Sequence, residues 1–246
     1  MRAYIFDIDD TMFVRSGPFV KVIGKDYPAE KYPTLPHELP ELVKFYTEFR
    51  DRGDYYYNNF FACGKMSEEE MYLRRTKDVF AAHGVELNDE QAMEFHYRYL
   101  ENQKHIDLMD GMGELLDELL ADPEKYFVGI LTNGNYDRQH VKMHSLGLDR
   151  RIPEERIIVT GAVNLHKPDP KIFALYEERV LKPAGISRGD CTYIGDAFGN
   201  DIRSSHAAGW KNVWFNWQRE DEKDADACAD RIAYNVEDLR EYLLHA

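Results

Sequence analysis

Residues 2–13 read RAYIFDIDDTMF, and the fold is decided there. Residues 3–6 form a short apolar run rich in β-formers, which stops at three carboxylates in four residues, Asp7, Asp9 and Asp10, followed by Thr11. This pattern predicts a buried strand that ends in a charged mouth. In an open α/β sheet ligands bind at the carboxyl ends of the strands, so the placement points to a site. The same residues also suit a strand-to-helix connection with Asp or Thr as the cap, and the stretch by itself leaves both readings open. Crowded like charges shift one another's pKa, which a fold tolerates best when a cation neutralises them.

Three further polar clusters each follow an apolar run. Residues 128–131 precede Thr132, Asn133 and Gly134; residues 157–160 lead to Lys167, Pro168, Asp169 and Pro170; residues 191–194 precede Gly195, Asp196 and then Asn200 and Asp201. With Asp7-x-Asp9-x-Thr11, in this order and spacing, they resemble the four motifs of the haloacid dehalogenase-like (HAD) hydrolase superfamily. The resemblance covers about residues 1–14 and 108–217.

A chain of 246 residues can bury a substantial core, with one domain plus an inserted module as the expected arrangement. No stretch approaches the ~18 consecutive apolar residues of a membrane span, and residues 1–2 lead straight into the expected strand, without the pattern of a signal peptide. Three cysteines, odd in number and far apart, argue against a disulfide framework or a zinc site. The expected compartment is reduced and cytoplasmic. A formal net charge of −14 argues against nucleic-acid or anionic-membrane partners. It also means that an anionic substrate approaches against the overall field, so a divalent cation and a local Lys must reverse the potential at the site. A monomer or homodimer is expected.

After Thr11 the chain carries no strand pattern until residue 107, apart from ambiguous apolar pieces such as 19–23. Four prolines make 25–41 a loop or linker. Helices are predicted at 41–51, 67–83 and 89–104, with a capping-box form at Ser67, a start at Asn88 or Asp89, and Gly84 as a stop. Beyond residue 110 the pattern alternates. Helices are expected over 112–120, 136–145, 171–181, 201–208 and 236–244, and strands over 127–131 and 213–216. The charged stretch 220–230 reads as solvated surface. The fold class is α/β: a Rossmann-like, mostly parallel sheet with helices on both faces, plus an inserted α-helical cap domain. The domain boundaries are 1–14 and 108–246 for the core and 15–107 for the cap.

The resemblance implies a role for each motif residue. Asp7 is the nucleophile, forming an aspartyl-phosphate, and Asp9 is the general acid and then the base. Dehalogenating relatives carry an aromatic residue in place of Asp9, so its identity favours phosphate over halide chemistry. Thr132 and the Asn133 backbone N–H bind the phosphoryl oxygens, and Lys167 offsets their charge. Mg²⁺ is the expected cofactor, held by Asp7, the backbone carbonyl of Asp9, Asp196 and Asp201, the last directly or through water. In this superfamily a helical cap inserted after the first motif commonly closes over the site and selects the substrate. The aromatic stretch 55–61 then reads either as a wall for a planar leaving group or as packing within the cap. Asp10 departs from the Gly of many members and reads as an outward or capping side chain. His166, beside Lys167, reads as a surface residue.

Asp9-Asp10-Thr11, Leu131-Thr132-Asn133-Gly134, Lys171-Ile172-Phe173 and Trp214-x-Asn216 resemble the pyrimidine 5′-nucleotidase-type branch. The function implied is a cytoplasmic, Mg²⁺-dependent phosphomonoester hydrolase acting on a small phosphorylated metabolite, a nucleoside monophosphate being the first guess. The alternatives are a sugar-phosphate phosphatase, a phosphomutase, and a ligand-binding regulatory module that keeps the fold without the activity.

Overall fold

The computed structural model describes residues 1–245. Along the chain, strand β1 (Arg2–Phe6) is followed by helices α1 (Gly17–Asp26), α2 (Leu39–Tyr56), α3 (Glu68–Ala82), α4 (Asp89–Asn102) and α5 (Met112–Ala121). Next come β2 (Tyr126–Thr132), α6 (Tyr136–Ser145), β3 (Ile157–Val159), α7 (Lys171–Tyr176) and β4 (Cys191–Gly195). The last elements are α8 (Ser204–Ala207), β5 (Lys211–Phe215), β6 (Arg231–Ala233) and α9 (Val236–His245). Three single π-helical turns interrupt or extend helices: Tyr57–Phe61 after α2, Glu177–Leu181 after α7 and Phe198–Arg203 before α8.

The strands form one parallel six-stranded sheet in the order β3-β2-β1-β4-β5-β6. Phe6 at the end of β1 pairs with Ile130 on one side and Ile194 on the other. From β1 the sheet grows outward through β2 and β3, and the chain then crosses to the opposite side of β1 to lay down β4. The strand order therefore reverses beside β1, which opens a crevice at the carboxyl ends of β1 and β4. The strands lining it are covered on both faces, which is why β1, β2 and β4 are buried almost throughout and read as continuous apolar runs rather than alternating ones. On one face Ile5, Leu131, Phe173, Tyr176, Tyr193 and Trp210 share a core. On the other, α5 packs on β2 and α9, and the Tyr4 hydroxyl donates to the Leu243 carbonyl at 2.7 Å.

The chain divides into two compact units, Met1–Val14 with Asp107–Ala246, and Arg15–Ile106. Residue 246, the end of the expected core segment, lies outside the described residues. The Arg15–Ile106 unit is helical and has its own aromatic core. Phe19 contacts Phe45 and Phe95 with ring centroids 5.1 and 5.4 Å apart, and Phe80 lies 4.9 Å from Phe95. Helices α3 and α4 start where side chains satisfy the first backbone N–H groups. Ser67 Oγ accepts from Glu70 N, and Asn88 and Gln91 form a full capping box.

The ambiguous run 19–23 lies inside α1, where Pro18 sits at the start and Phe19, Val22 and Ile23 fall on one buried face. The stretch 55–61 spans the end of α2 and the π turn. Tyr56, Phe60 and Phe61 pack with Met66, Met71 and Tyr72 inside the same unit, while Tyr55 and Tyr57 are about half exposed (48% and 50%). Strand β6, just beyond the charged 220–230 stretch, has no counterpart in the sequence reading. Three residues on a sheet edge are too few to show a period.

Candidate active site

The crevice end of β1 delivers Asp7, whose backbone N–H continues the ladder to the Ile194 carbonyl at 2.9 Å. Opposite it stands Lys167, almost wholly buried at 3% exposure. Its ammonium donates to Asp7 Oδ1 at 2.9 Å, to Asp201 Oδ1 at 2.6 Å and to the Tyr193 hydroxyl at 2.7 Å, so all three protons are used. Tyr193 in turn donates to the Leu131 carbonyl. Burial works against the Lys167 charge, but the carboxylates of Asp201 and Asp7 outweigh it and hold the amine above its usual range. The backbone of Lys167 is clipped to the loop after β2: Asn133 Oδ1 accepts from Lys167 N at 3.0 Å and Asn133 Nδ2 donates to Lys167 O at 2.9 Å.

Asp196 follows β4 and Asp201 lies in the π turn beyond it. One carboxylate oxygen from each of Asp7, Asp196 and Asp201 falls within 4.8 Å of the others. Asp7 is raised from 3.8 to about 6, first by burial and then by the charges of Asp201 and Asp9 against the opposing pull of Lys167. Asp196 is raised well above its ordinary value, by burial first and then by the charges of Asp201, Asp10 and Asp7, with Lys167 pulling the other way. Two indoles pin the loops that carry these groups. Trp214 Nε1 donates to the Asp196 carbonyl at 2.7 Å and Trp217 Nε1 to the Asp10 carbonyl at 2.6 Å. Thr11 Oγ1 accepts from Asp196 N at 3.1 Å.

An all-oxygen donor set of mutually repelling carboxylates suits a hard divalent cation. These oxygens lie within 4.8 Å of one another, near enough to share one ion. Asp201 is already engaged at both oxygens: Oδ1 takes Lys167, and Oδ2 accepts from Ala197 N at 2.9 Å. Asp7 and Asp196 are therefore the better direct ligands, and Asp201 suits an orienting role through water. Gly195 makes this packing possible, because a Cβ there would collide with the Asp201 carboxylate.

Asp9 is held from α6. Lys142 Nζ donates to its Oδ1 at 2.6 Å and Gln139 Nε2 to its Oδ2 at 3.0 Å. Thr132 is buried at the end of β2, its hydroxyl making a long 3.5 Å contact with the Asn133 carbonyl. Asn133, expected to offer its backbone N–H, also ties two loops together through its side chain. Of the two readings expected for Asp10, an outward or a capping side chain, the outward one is corrected: Asp10 is buried at 7% exposure with φ +57°, a left-handed conformation that Gly adopts freely and Asp tolerates. His166 is exposed. Sequence reasoning did not find Gln139, Lys142, Tyr193 or Trp217. For the first pair a signal existed, since three-residue spacing on α6, started by the Asn135 cap, puts both on one helix face.

These features define the class: a parallel α/β protein with a buried aspartate–lysine site at the carboxyl ends of its strands. The chain belongs to the haloacid dehalogenase-like hydrolase family, whose sequence model matches residues 56–215. The glyceraldehyde 3-phosphate phosphatase of Pyrococcus furiosus is 26% identical over 258 aligned positions, spanning 99% of this chain and 93% of the relative. Two solved structures share the fold. A HAD-hydrolase of Bacillus subtilis bound to magnesium superposes with a TM-score of 0.69 at 20% identity, covering 100% of this chain and 99% of that one. A dehalogenase in complex with an intermediate gives a TM-score of 0.76 at 15% identity, covering 100% and 98%. Among the described residues, no helix is long and apolar enough to cross a membrane.

Proposed function

We propose that the protein is a Mg²⁺-dependent phosphomonoester hydrolase of small phosphorylated metabolites that works through a covalent Asp7 intermediate. The observation that carries this reading is the buried Lys167 ammonium joining Asp7 to Asp201, with Asp196 beside them and Asp9 two residues along. A carboxylate nucleophile, a fixed cation and a second carboxylate are what phosphoryl transfer to an aspartate requires.

In this mechanism an Asp7 oxygen attacks phosphorus and the bond to the leaving oxygen breaks, while Asp9 supplies the proton that makes the leaving group an alcohol. Asp9 then takes a proton from the water that attacks phosphorus, releasing inorganic phosphate and restoring the Asp7 carboxylate. Lys167 stays charged throughout and faces the charge that spreads over the phosphoryl oxygens, with Thr132 and the Asn133 N–H as donors at the end of β2. Mg²⁺ held by Asp7, the Asp9 carbonyl and Asp196 supplies further neutralisation of that charge when bound.

The relative from Pyrococcus furiosus is named for a three-carbon phosphate, which supports placing triose and short polyol phosphates beside nucleoside monophosphates and sugar phosphates as substrates. The test is phosphate release from such a panel and from p-nitrophenyl phosphate, with Mg²⁺ and with EDTA. Release that needs the metal is expected, and Asp7→Asn is expected to lower it by on the order of a thousandfold or more while the protein stays folded. Unchanged turnover in Asp7→Asn refutes the covalent mechanism. Isomer formation without phosphate release shows a phosphomutase instead, and silence across the panel removes the hydrolase assignment for these esters.

A further inference from the structure

We propose that Lys142 and Gln139 of α6 are positioning residues for Asp9, each holding one of its carboxylate oxygens so that the group is aimed before an ester arrives. The proposal rests on the phosphomonoesterase reading above and adds to it the residues on which the proton-transferring carboxylate depends.

Lys142 is a lysine in mid-helix with only 8% of its side chain exposed, where a solvated position would cost the fold nothing. Its stem is buried, its ammonium lies 5.7 Å from the Phe13 ring, and the charge is met by Asp9 Oδ1 at 2.6 Å. Gln139, three residues earlier and 2% exposed, places both protons of its amide nitrogen. One goes to Asp9 Oδ2 at 3.0 Å and the other to the Asn133 carbonyl at 2.9 Å. The opposite amide orientation would set an oxygen against both acceptors, so the network fixes the assignment. In this orientation Gln139 Oε1 is buried without a hydrogen-bond donor, a cost that accompanies the placement of the nitrogen. Gly134 leaves room for it. At φ +136°, it adopts a backbone that side chains avoid, and a Cβ there would lie 2.8 Å from Gln139 Nε2.

Asp9 itself belongs to the bend after β1, where loop geometry alone would let its side chain swing. Two donors from one helix remove that freedom, and a helix holds geometry better than a loop. The Gln139 amide also ties Asp9 to Asn133, so the group expected to move the proton and the loop expected to hold the phosphoryl oxygens keep a common register. Positioning errors of about 1 Å can cost on the order of a hundredfold in rate.

The reaction itself separates positioning from plain structural support. An alkyl phosphate must receive a proton as its alkoxide departs, whereas p-nitrophenolate leaves without one. kcat/KM reports only the steps up to that departure, so the hydrolysis of the phosphoenzyme, common to both esters, does not enter. The experiment compares kcat/KM on the best alkyl monoester of the panel and on p-nitrophenyl phosphate for wild type, Lys142→Met, Lys142→Arg and Gln139→Leu. Melting temperature and circular dichroism are recorded for each.

The proposal expects Lys142→Met to lose about tenfold to a hundredfold on the alkyl ester and less than about threefold on p-nitrophenyl phosphate. Gln139→Leu should lose in the same unequal manner, and Lys142→Arg should recover most of the alkyl activity. Equal losses on both esters, or none on either, overturn it. Gln139→Leu keeps the ion pair and carries the same comparison should Lys142→Met fail to fold. A wild-type enzyme that releases no phosphate from any ester overturns the hydrolase reading itself, and the proposal with it. A wild type that is active, with variants that lose both esters alike, overturns the positioning role alone.

Discussion

At Asp10 one residue carries two costs. Its backbone sits at φ +57°, where a Cβ is disfavoured, and its buried carboxylate adds to the repulsion that raises Asp196. The sequence marks the position only as an acid where many members of the family it resembles carry Gly, and the φ value gives that difference a physical meaning. Asp10→Ala is expected to be less stable than Asp10→Gly by about 1 kcal/mol, because both remove the charge and only Ala keeps the Cβ. Urea unfolding of the two variants measures the difference, and equal midpoints would deny the strain. The same scale shows why some site residues were legible. Asp7, Lys167, Asp196 and Asp201 stand in recognisable spacings after apolar runs. Tyr193 lies inside a strand and reads as core, and its hydroxyl finds Lys167 only after β4 is laid beside β1.

Strand ends assemble the carboxylate cluster, so its titration belongs to β1 and β4 together. Asp7 is raised from 3.8 to about 6, and Asp196 is raised as well, chiefly by burial. A raised carboxyl pKa means that the folded protein binds the proton more tightly than the unfolded chain. The stabilisation is therefore complete below pH 3.8 and is lost as pH rises to about 6. Without metal, wild type should lose melting temperature relative to Asp7→Asn across that window. A divalent cation needs Asp7 ionised, so Mg²⁺ should raise the melting temperature more above about pH 6 than near pH 4. Thermal melts in EDTA and in Mg²⁺ across this range check both statements. A metal shift that is the same at every pH would contradict them. The four strands whose ends carry the polar clusters, β1 to β4, were readable in their order because buried parallel strands are continuous apolar runs. The π turn that carries Asp201 was not, since it needs the space that Gly195 leaves and the Ala197 N–H that Asp201 accepts.

Over the whole molecule the formal charge is −14, while the substrate proposed here is an anion. The overall field opposes its approach, whereas Lys167 acts from a buried position at short range. Salt screens the first more than the second. kcat/KM for a phosphate ester at fixed Mg²⁺ is therefore expected to rise, by up to about threefold, from low to physiological ionic strength. A fall with salt would show that local attraction at the site governs the encounter instead.

What the sequence determined by itself is local: which runs are apolar enough to become buried strands, where the capped helices α3 and α4 start and stop, and that acids, a Thr-Asn pair and a lysine follow the strand ends. Burial and capping depend on near neighbours in the chain, so a single sequence carries them. Tertiary structure decided which of these groups touch, at what distance, and which partners outside the motifs join them. Lys142 reaches Asp9 across 133 residues and Lys167 reaches Asp7 across 160. Those contacts exist because parallel pairing brings the ends of β1, β2 and β3, and the segments that follow them, to one edge, and no spacing along the chain encodes the distance between them.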